Sequence, residues 1–324
     1  MLMSVLLFAV GLVLLIKGGD WFVDGATGIA KRFNLPDIVV GATVVSIGTT
    51  LPEVMVSTTG ALQGSGAMAY GNAIGSIICN TALIAAISIV CNPGPVNVKS
   101  MKTPALFFFA SAGLYCLASY VLGTFPRWMG FVMLGIFVVY TVLTVRNGLK
   151  NPDEAEEEEE EGGKEKSMLM LLILLIVGAA VIAVGADLLV EHGQVIAIGL
   201  GVPETVVALL FVALGTSLPE LVTTITSLKS GHASLGVGNV IGANVFNLVL
   251  VSGVAVSLAP FDVPCQNTLL NTGLNMSLVF EIPVMLGVMS LMIFPALAKK
   301  KLARWQGIAL LGIYIAFCIC QFVL

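Results

Sequence analysis

Uncharged apolar runs long enough to cross a bilayer recur from one end of this 324-residue chain to the other. A helix needs about 20 such residues to span, and in lipid a spanning segment must satisfy its own backbone polar groups. Only 10% of the residues are charged and 57% are apolar, whereas a soluble domain carries about 25% charged residues. The chain therefore reads as an all-α polytopic membrane protein, not as a soluble protein with an anchor. Its opening stretch, MLMSVLLFAVGLVLLIKGG, lacks the positive n-region and small-residue cleavage site of a signal peptide, and reads as the first retained span.

Helices are expected near 2–33, 37–62, 68–91, 103–121 and 127–146. After the polar break NPDEAEEEEEEGGKEKS at 151–167, more are expected near 168–198, 204–229, 234–258, 283–298 and 303–323. Ten transmembrane helices divided by one loop suggest a duplication, and three motif pairs support it. GGDWFVDG at 18–25 matches GADLLVEH at 185–192, GTTLPE at 48–53 matches GTSLPE at 215–220, and GNAIGSIICN at 71–80 matches GNVIGANVFN at 238–247. The offset is 167 each time (187 − 20, 220 − 53, 247 − 80). With an odd number of spans per half, the second copy enters the membrane from the opposite side, giving the inverted repeats of many secondary transporters. The expected units are a first five-helix repeat over 1–146, an acidic linker over 147–167 and a second five-helix repeat over 168–324.

Of the fifteen Lys and Arg residues, thirteen, from Lys31 and Arg32 to Arg304, fall on one side of this arrangement. Only Arg127 falls on the other, and Lys17 sits within the first span. Basic loops stay cytoplasmic. Both termini are therefore expected outside the cytoplasm and the acidic linker inside, in a cell (inner or plasma) membrane. The run EEEEEE at 156–161 reads as a solvated linker, in a loop too short for a folded regulatory domain. The six cysteines (Cys79, Cys91, Cys116, Cys265, Cys318 and Cys320) form no paired metal spacing and read as small hydrophobes.

Against this background a proline beside a glutamate in mid-span needs a reason. An ionised carboxylate at the bilayer centre costs at least ~2.5–3.5 kcal/mol, and Pro52 removes a backbone hydrogen bond. Thr49 and Thr50 precede Glu53 by four and three residues, so their hydroxyls share its helix face. Pro52 is expected to free carbonyls near Ser46 and Ile47, tolerable at this depth only if buried or lining a watery cavity. On the next helix Asn72, Ser76 and Asn80 recur every four residues as a polar stripe, with Gly71 and Gly75 permitting close approach. The second half repeats this with Thr216, Ser217, Pro219, Glu220, Asn239 and Asn247, but Ala243 replaces the serine. Folding the halves about a pseudo-two-fold axis brings Glu53 and Glu220 together near the midplane. Carboxylates, hydroxyls, amide oxygens and carbonyls form an all-oxygen set, which suits hard cations such as Na⁺, Ca²⁺ and Mg²⁺.

Blander readings stand beside this one. The two glutamates, if protonated, need only hydrogen bonds to threonine, although duplication in symmetric motifs weighs against that. Asp20 and Asp187 lie on the first helix of each half without hydroxyl companions and are as readily structural as functional. Asn72 and Asn239 serve equally as interhelical glue. Glu281 reads as lying at the outer interface. His192 and His232 read as loop residues, which leaves no histidine for a midplane proton relay. Trp21, Trp128 and Trp305 read as interfacial anchors.

The stretches GATVVSIGTTLPEVMVS and GNAIGSIICN, then ALLFVALGTSLPELVTT and GNVIGANVFN, resemble the two α-repeats of the sodium/calcium exchanger family in the cation/calcium exchanger superfamily, most of all its short prokaryotic members. The resemblance implies exchange of several Na⁺ for one Ca²⁺ by alternating access. It implies that Glu53 and Glu220 are the shared carboxylates, that Thr49, Thr50, Thr216, Ser217 and Ser76 supply hydroxyls or carbonyls, that Ser46 and Ala213 supply main-chain carbonyls, and that Asn80 ligates through its amide oxygen. It also implies that the long first and sixth helices slide as a gate. Ala243 puts one sodium-site hydroxyl in doubt. Asn247 stands where some prokaryotic relatives carry aspartate, which weighs against K⁺ dependence.

The expected function is a Na⁺/Ca²⁺ antiporter without a cofactor, whose partners are the bilayer and its ions, with no nucleic acid and no protein partner. An H⁺-coupled, Mg²⁺ or Mn²⁺ exchanger of the same fold is the nearest rival, and a passive cation channel a more distant one. No nucleophile–base pair or HExxH pattern speaks for an enzyme. Stoichiometry, ion selectivity and oligomeric state are not legible.

Overall fold

The computed structural model describes residues 2–150, 166–200, 215–264 and 274–323. Ala213, most of the acidic linker and the first part of the helix expected at 204–229 lie outside them. In chain order the helices are α1 (Leu2–Arg32), α2 (Asp37–Thr49), α3 (Leu51–Leu62), α4 (Gly66–Cys91), α5 (Val98–Leu122) and α6 (Arg127–Leu149). Then come α7 (Met168–Gly199), α8 (Leu218–Lys229), α9 (Ala233–Leu258), α10 (Ser277–Lys299) and α11 (Arg304–Val323). Among the described residues eight helices are long and apolar enough to span a membrane, and α2 with α3 makes a ninth if counted as one span.

That pair corrects the expectation of a single helix over 37–62: the chain bends by 45° between Thr49 and Leu51. Other differences are local. α5 begins at Val98 instead of 103 because Asn97 caps it, its Oδ1 accepting from the Lys99 and Ser100 amides at 3.0 and 3.2 Å. α10 begins at Ser277 instead of 283, entering through a wide π-helical turn, Ser277–Glu281. His192, expected in a loop, lies inside α7.

The core is built on α4 and α9, whose most apolar stretches are 72% and 83% buried, against 22% each for α1 and α7. α1 and α7 instead pack on one another, antiparallel. Gly11 of α1 meets Gly185 of α7, where a Cβ would stand 2.9 Å from the carbonyl oxygen, and Gly25 meets Leu171 and Leu175. Such backbone approach replaces the hydrophobic drive that lipid removes.

Two short antiparallel ladders join the halves. β1 (Gly94–Pro95) pairs with β4 (Lys301–Leu302), and β2 (Thr124–Phe125) pairs with β3 (Phe261–Asp262). β1 and β3 start 167 residues apart (261 − 94), the offset of the three motif pairs, and β2 and β4 start 177 apart (301 − 124), ten more (177 − 167).

Candidate cation site

The residue at the bend between α2 and α3 and its counterpart before α8 share one backbone conformation. Thr50 has φ −84°, ψ −2°, and its counterpart Ser217 has φ −90°, ψ 4°. Pro52 and Pro219 follow in the first positions of α3 and α8, where a missing N–H costs no helical bond. Each glutamate consequently sits in the first turn of a new helix, where amide N–H groups favour negative charge. The Thr50 amide still reaches the Ser46 carbonyl at 3.0 Å. The expectation that Pro52 frees this carbonyl is therefore corrected: it keeps its helical partner and has only its second lone pair to offer.

Glu53 and Glu220 are fully buried, and none of their four carboxylate oxygens has a hydrogen-bond partner. The two side chains are close enough for Glu220 to act on Glu53 by charge repulsion. Among the described residues no Lys, Arg or His pairs with either. The hydroxyls of Thr49 and Thr50 neighbour the Glu220 carboxylate, but neither completes a hydrogen bond to it.

The remaining expected ligands divide into two groups. Thr50 and Ser217 hydroxyls are buried and unpartnered, as are both amide atoms of Asn80 and of Asn247. Each of these asparagines opens a π-helical turn, Asn80–Ala85 in α4 and Asn247–Val251 in α9, a distortion frequent at functional sites. The other group is committed to the scaffold. Thr49 donates to Asn239 Oδ1 at 3.1 Å, and Thr216 donates to Asn72 Oδ1 at 3.3 Å. Ser46 donates to the Gly41 and Asn239 carbonyls at 2.7 and 2.9 Å. The hydroxyls of Thr49 and Thr216 thus spend their protons on the scaffold, while their oxygen lone pairs stay available. Ser76 is buried, and Ala243 lies fully buried at its mate's position.

Asn72 and Asn239 act as interhelical glue; Asn72 Nδ2 also donates to the Glu53 carbonyl at 3.2 Å and to Ser57 Oγ at 2.8 Å. Asp20 stands apart from the glutamates, exposed and paired with Lys17 at 3.6 Å, and Asp187 is likewise exposed. Sequence reasoning missed Thr223, Thr224 and Ser227, buried with unpartnered hydroxyls, and Asn244, which donates to Thr81 at 2.7 Å. The first three follow Glu220 by three, four and seven residues, the spacing that marks one helix face.

Two carboxylates, two free hydroxyls and two free amides, all buried and from both halves, form a set of hard oxygen donors. A model for the family described as "sodium/calcium exchanger protein" matches residues 3–146 and, separately, 170–323. The chain belongs to the sodium/calcium exchanger family. The sodium/calcium exchanger MaX1 of Methanosarcina acetivorans is 30% identical over 352 residues, covering 98% of each chain. The membrane protein MJ0091 of Methanocaldococcus jannaschii is 34% identical over 310 residues, covering 95% of this chain and 94% of that one. A structure of the sodium-calcium exchanger NCX_Mj, soaked with 2.5 mM Na⁺ and 10 mM Sr²⁺, superposes with a TM-score of 0.79 at 33% identity over 97% of each chain. This exchanger is accordingly a multi-pass membrane protein of a cation/calcium transport family, and its relatives are transporters, not enzymes.

Proposed function

We propose that this chain is an antiporter that exchanges Na⁺ for Ca²⁺ by alternating access at a midplane site centred on Glu53 and Glu220. The observation that carries the proposal is that two buried carboxylates near one another have no hydrogen-bond donor and no basic partner. Leaving such charges uncompensated in a low-dielectric interior is costly, and a transported cation supplies the compensation. Thr50, Ser217, Asn80 and Asn247 complete the shell through side chains, Ser76 flanks it, and Ser46, Thr49, Thr216 and Ala213 contribute carbonyls. Two carboxylates balance one Ca²⁺ in charge, whereas three Na⁺ leave the site at +1; occupancy by either cargo relieves the repulsion and permits the switch.

Two inverted repeats over 1–146 and 168–324, ten spans in all, joined by a cytoplasmic linker, account for the antiparallel α1–α7 pair and for ladders that each join one half to the other. Both termini then face outward, in accord with the basic residues. The seam that alternation would open is formed by α2 and α9. On α9, Gly238 and Gly242 are buried, and a Cβ on Gly242 would stand 2.6 Å from the Ala42 backbone of α2. On α4, at the same offset, a Cβ on Gly71 or Gly75 would meet none of the described residues within 4 Å.

The test is ⁴⁵Ca flux in proteoliposomes under separately imposed Na⁺, H⁺ and K⁺ gradients. Ca²⁺ uptake should require an outward-directed Na⁺ gradient and vanish in Glu53→Gln and Glu220→Gln. Uptake driven by a pH gradient without Na⁺ would overturn sodium coupling.

A further inference from the structure

The tight contact between α2 and α9 ends, at the start of both helices, on a shielded pair of side chains from the two halves. His232 Nδ1 lies 2.5 Å from Asp37 Oδ2, with the side chains 11% and 10% exposed. Asp37 is the first residue of α2, and His232 immediately precedes α9. Just inside this pair, Gly238 abuts the Ile38 carbonyl and Gly41 abuts Leu235. The arrangement is one-sided, because the repeat places Ser65 where His232 stands (232 − 65 = 167) and Glu204 where Asp37 stands (204 − 37 = 167). Serine carries no charge, so the duplicated sequence does not repeat the imidazole–carboxylate pairing.

We propose that His232 and Asp37 form a latch that holds the cytoplasmic side of this exchanger closed, and that the latch loosens as pH rises and the imidazolium loses its proton. The inference rests on the alternating-access reading above. A charged imidazolium against an ionised carboxylate gains far more at a shielded edge than in water, and in the neutral form only a hydrogen bond remains. Histidine ordinarily changes charge between about pH 5 and 8. Since Asp37 favours the charged form, the latch is complete at low pH and is lost as pH rises. The charged groups presented at this end by the neighbouring elements are basic: Lys31 and Arg32 on α1, Lys99 and Lys102 on α5, Arg146 on α6 and Lys229 on α8. They oppose protonation of His232, and Asp37 is the carboxylate that counters them among the described residues; Asp24 on α1 is held by Lys166 at 3.0 Å.

Backbone hydrogen exchange of the whole protein in lipid nanodiscs reads the latch directly. Asp37→Asn and His232→Gln should each speed exchange over 38–45 and 235–242 by at least about fivefold, the low end of typical coupling between sites. The double variant should be no faster than the faster single, Asp37→Glu should restore protection, and segment 66–75 should be unaffected. In wild type, exchange corrected for its intrinsic pH dependence should rise from about pH 5.5 to 8 and stay flat in Asp37→Asn. Unchanged rates in the single variants, an additive double, or equal acceleration at 66–75 would overturn the latch. The readout is opening, not flux. A chain that fails to exchange Na⁺ for Ca²⁺ in vesicles can still open and close at this seam, so the two failures stay distinct.

Discussion

Thr49 of α2 donates to Asn239 of α9 across the two halves at 3.1 Å, and the mirrored pair, Thr216 to Asn72, repeats the bond at 3.3 Å. Each of the segments 49–53 and 216–220 is thereby fastened to an asparagine from the opposite half of the chain. The fastening leaves the neighbouring hydroxyls, Thr50 and Ser217, buried and unengaged. One residue of each hydroxyl pair donates to the opposite half of the chain, and the other has no hydrogen-bond partner.

Removing a fastening hydroxyl should therefore cost stability before it costs chemistry. Thr49→Val and Thr216→Val should each destabilise by roughly 0.6–2 kcal/mol, the range for a hydrogen bond lost within a membrane protein. The serine variants should be milder. Thermal unfolding in detergent measures this, and a valine variant as stable as wild type would show that the bond contributes nothing.

The glutamates should behave in the opposite way. Glu53→Gln or Glu220→Gln removes a charge for which the protein has no counter-charge, so the folded apoprotein should be no less stable. Ca²⁺ affinity should fall about a hundredfold or more, the scale of a buried charge deprived of its partner. Calorimetric titration with Ca²⁺ decides it. Near-native binding by either glutamine variant would remove that residue from the site.

Equivalent glycines should respond unequally to one methyl group. Gly242→Ala drives a Cβ into α2 at Ala42 and should cost about 1–3 kcal/mol, as overpacking does. A Cβ on Gly75 meets none of the described residues within 4 Å, and Gly75→Ala should leave unfolding unchanged within about 0.5 kcal/mol. If the two sides exchange roles, Gly75→Ala should nonetheless slow turnover by obstructing the other conformation. Wild-type flux in Gly75→Ala would count against alternation of this seam.

Asp20 provides the control. It is exposed, paired with Lys17 and away from the glutamates. Since exposed ion pairs contribute little, Asp20→Asn should leave Na⁺-dependent Ca²⁺ flux within about twofold of wild type. Loss of flux would mean that the first helix takes part in ion handling.

Much of the site was legible because the chemistry repeats in register. The offset that aligns Glu53 with Glu220 also aligns Asn80 with Asn247, and all four are buried without partners. Less legible was how hydroxyls divide their work. Thr49 and Thr50 are adjacent and chemically alike, and only the position of Asn239, 190 residues from Thr49 in the chain, decides which is engaged. The Ser46 carbonyl differed from expectation because the donor missing at Pro52 is the one for Gly48, four residues back, while Thr50 still serves Ser46. His232 looked like an unremarkable loop residue because its partner, Asp37, is 195 positions away.

The amino-acid sequence alone determined that this chain spans a membrane many times, that it is built from two copies of one plan, and which acidic residues that plan places in mid-span. These are local properties, set by hydropathy, spacing and the covalent constraint of proline. Tertiary structure alone decided that α2 closes on α9 at Gly238 and Gly242 and that Asp37 meets His232 there. Contacts between segments so far apart in the chain depend on how the helices interlock, and interlocked helices settle in discrete arrangements.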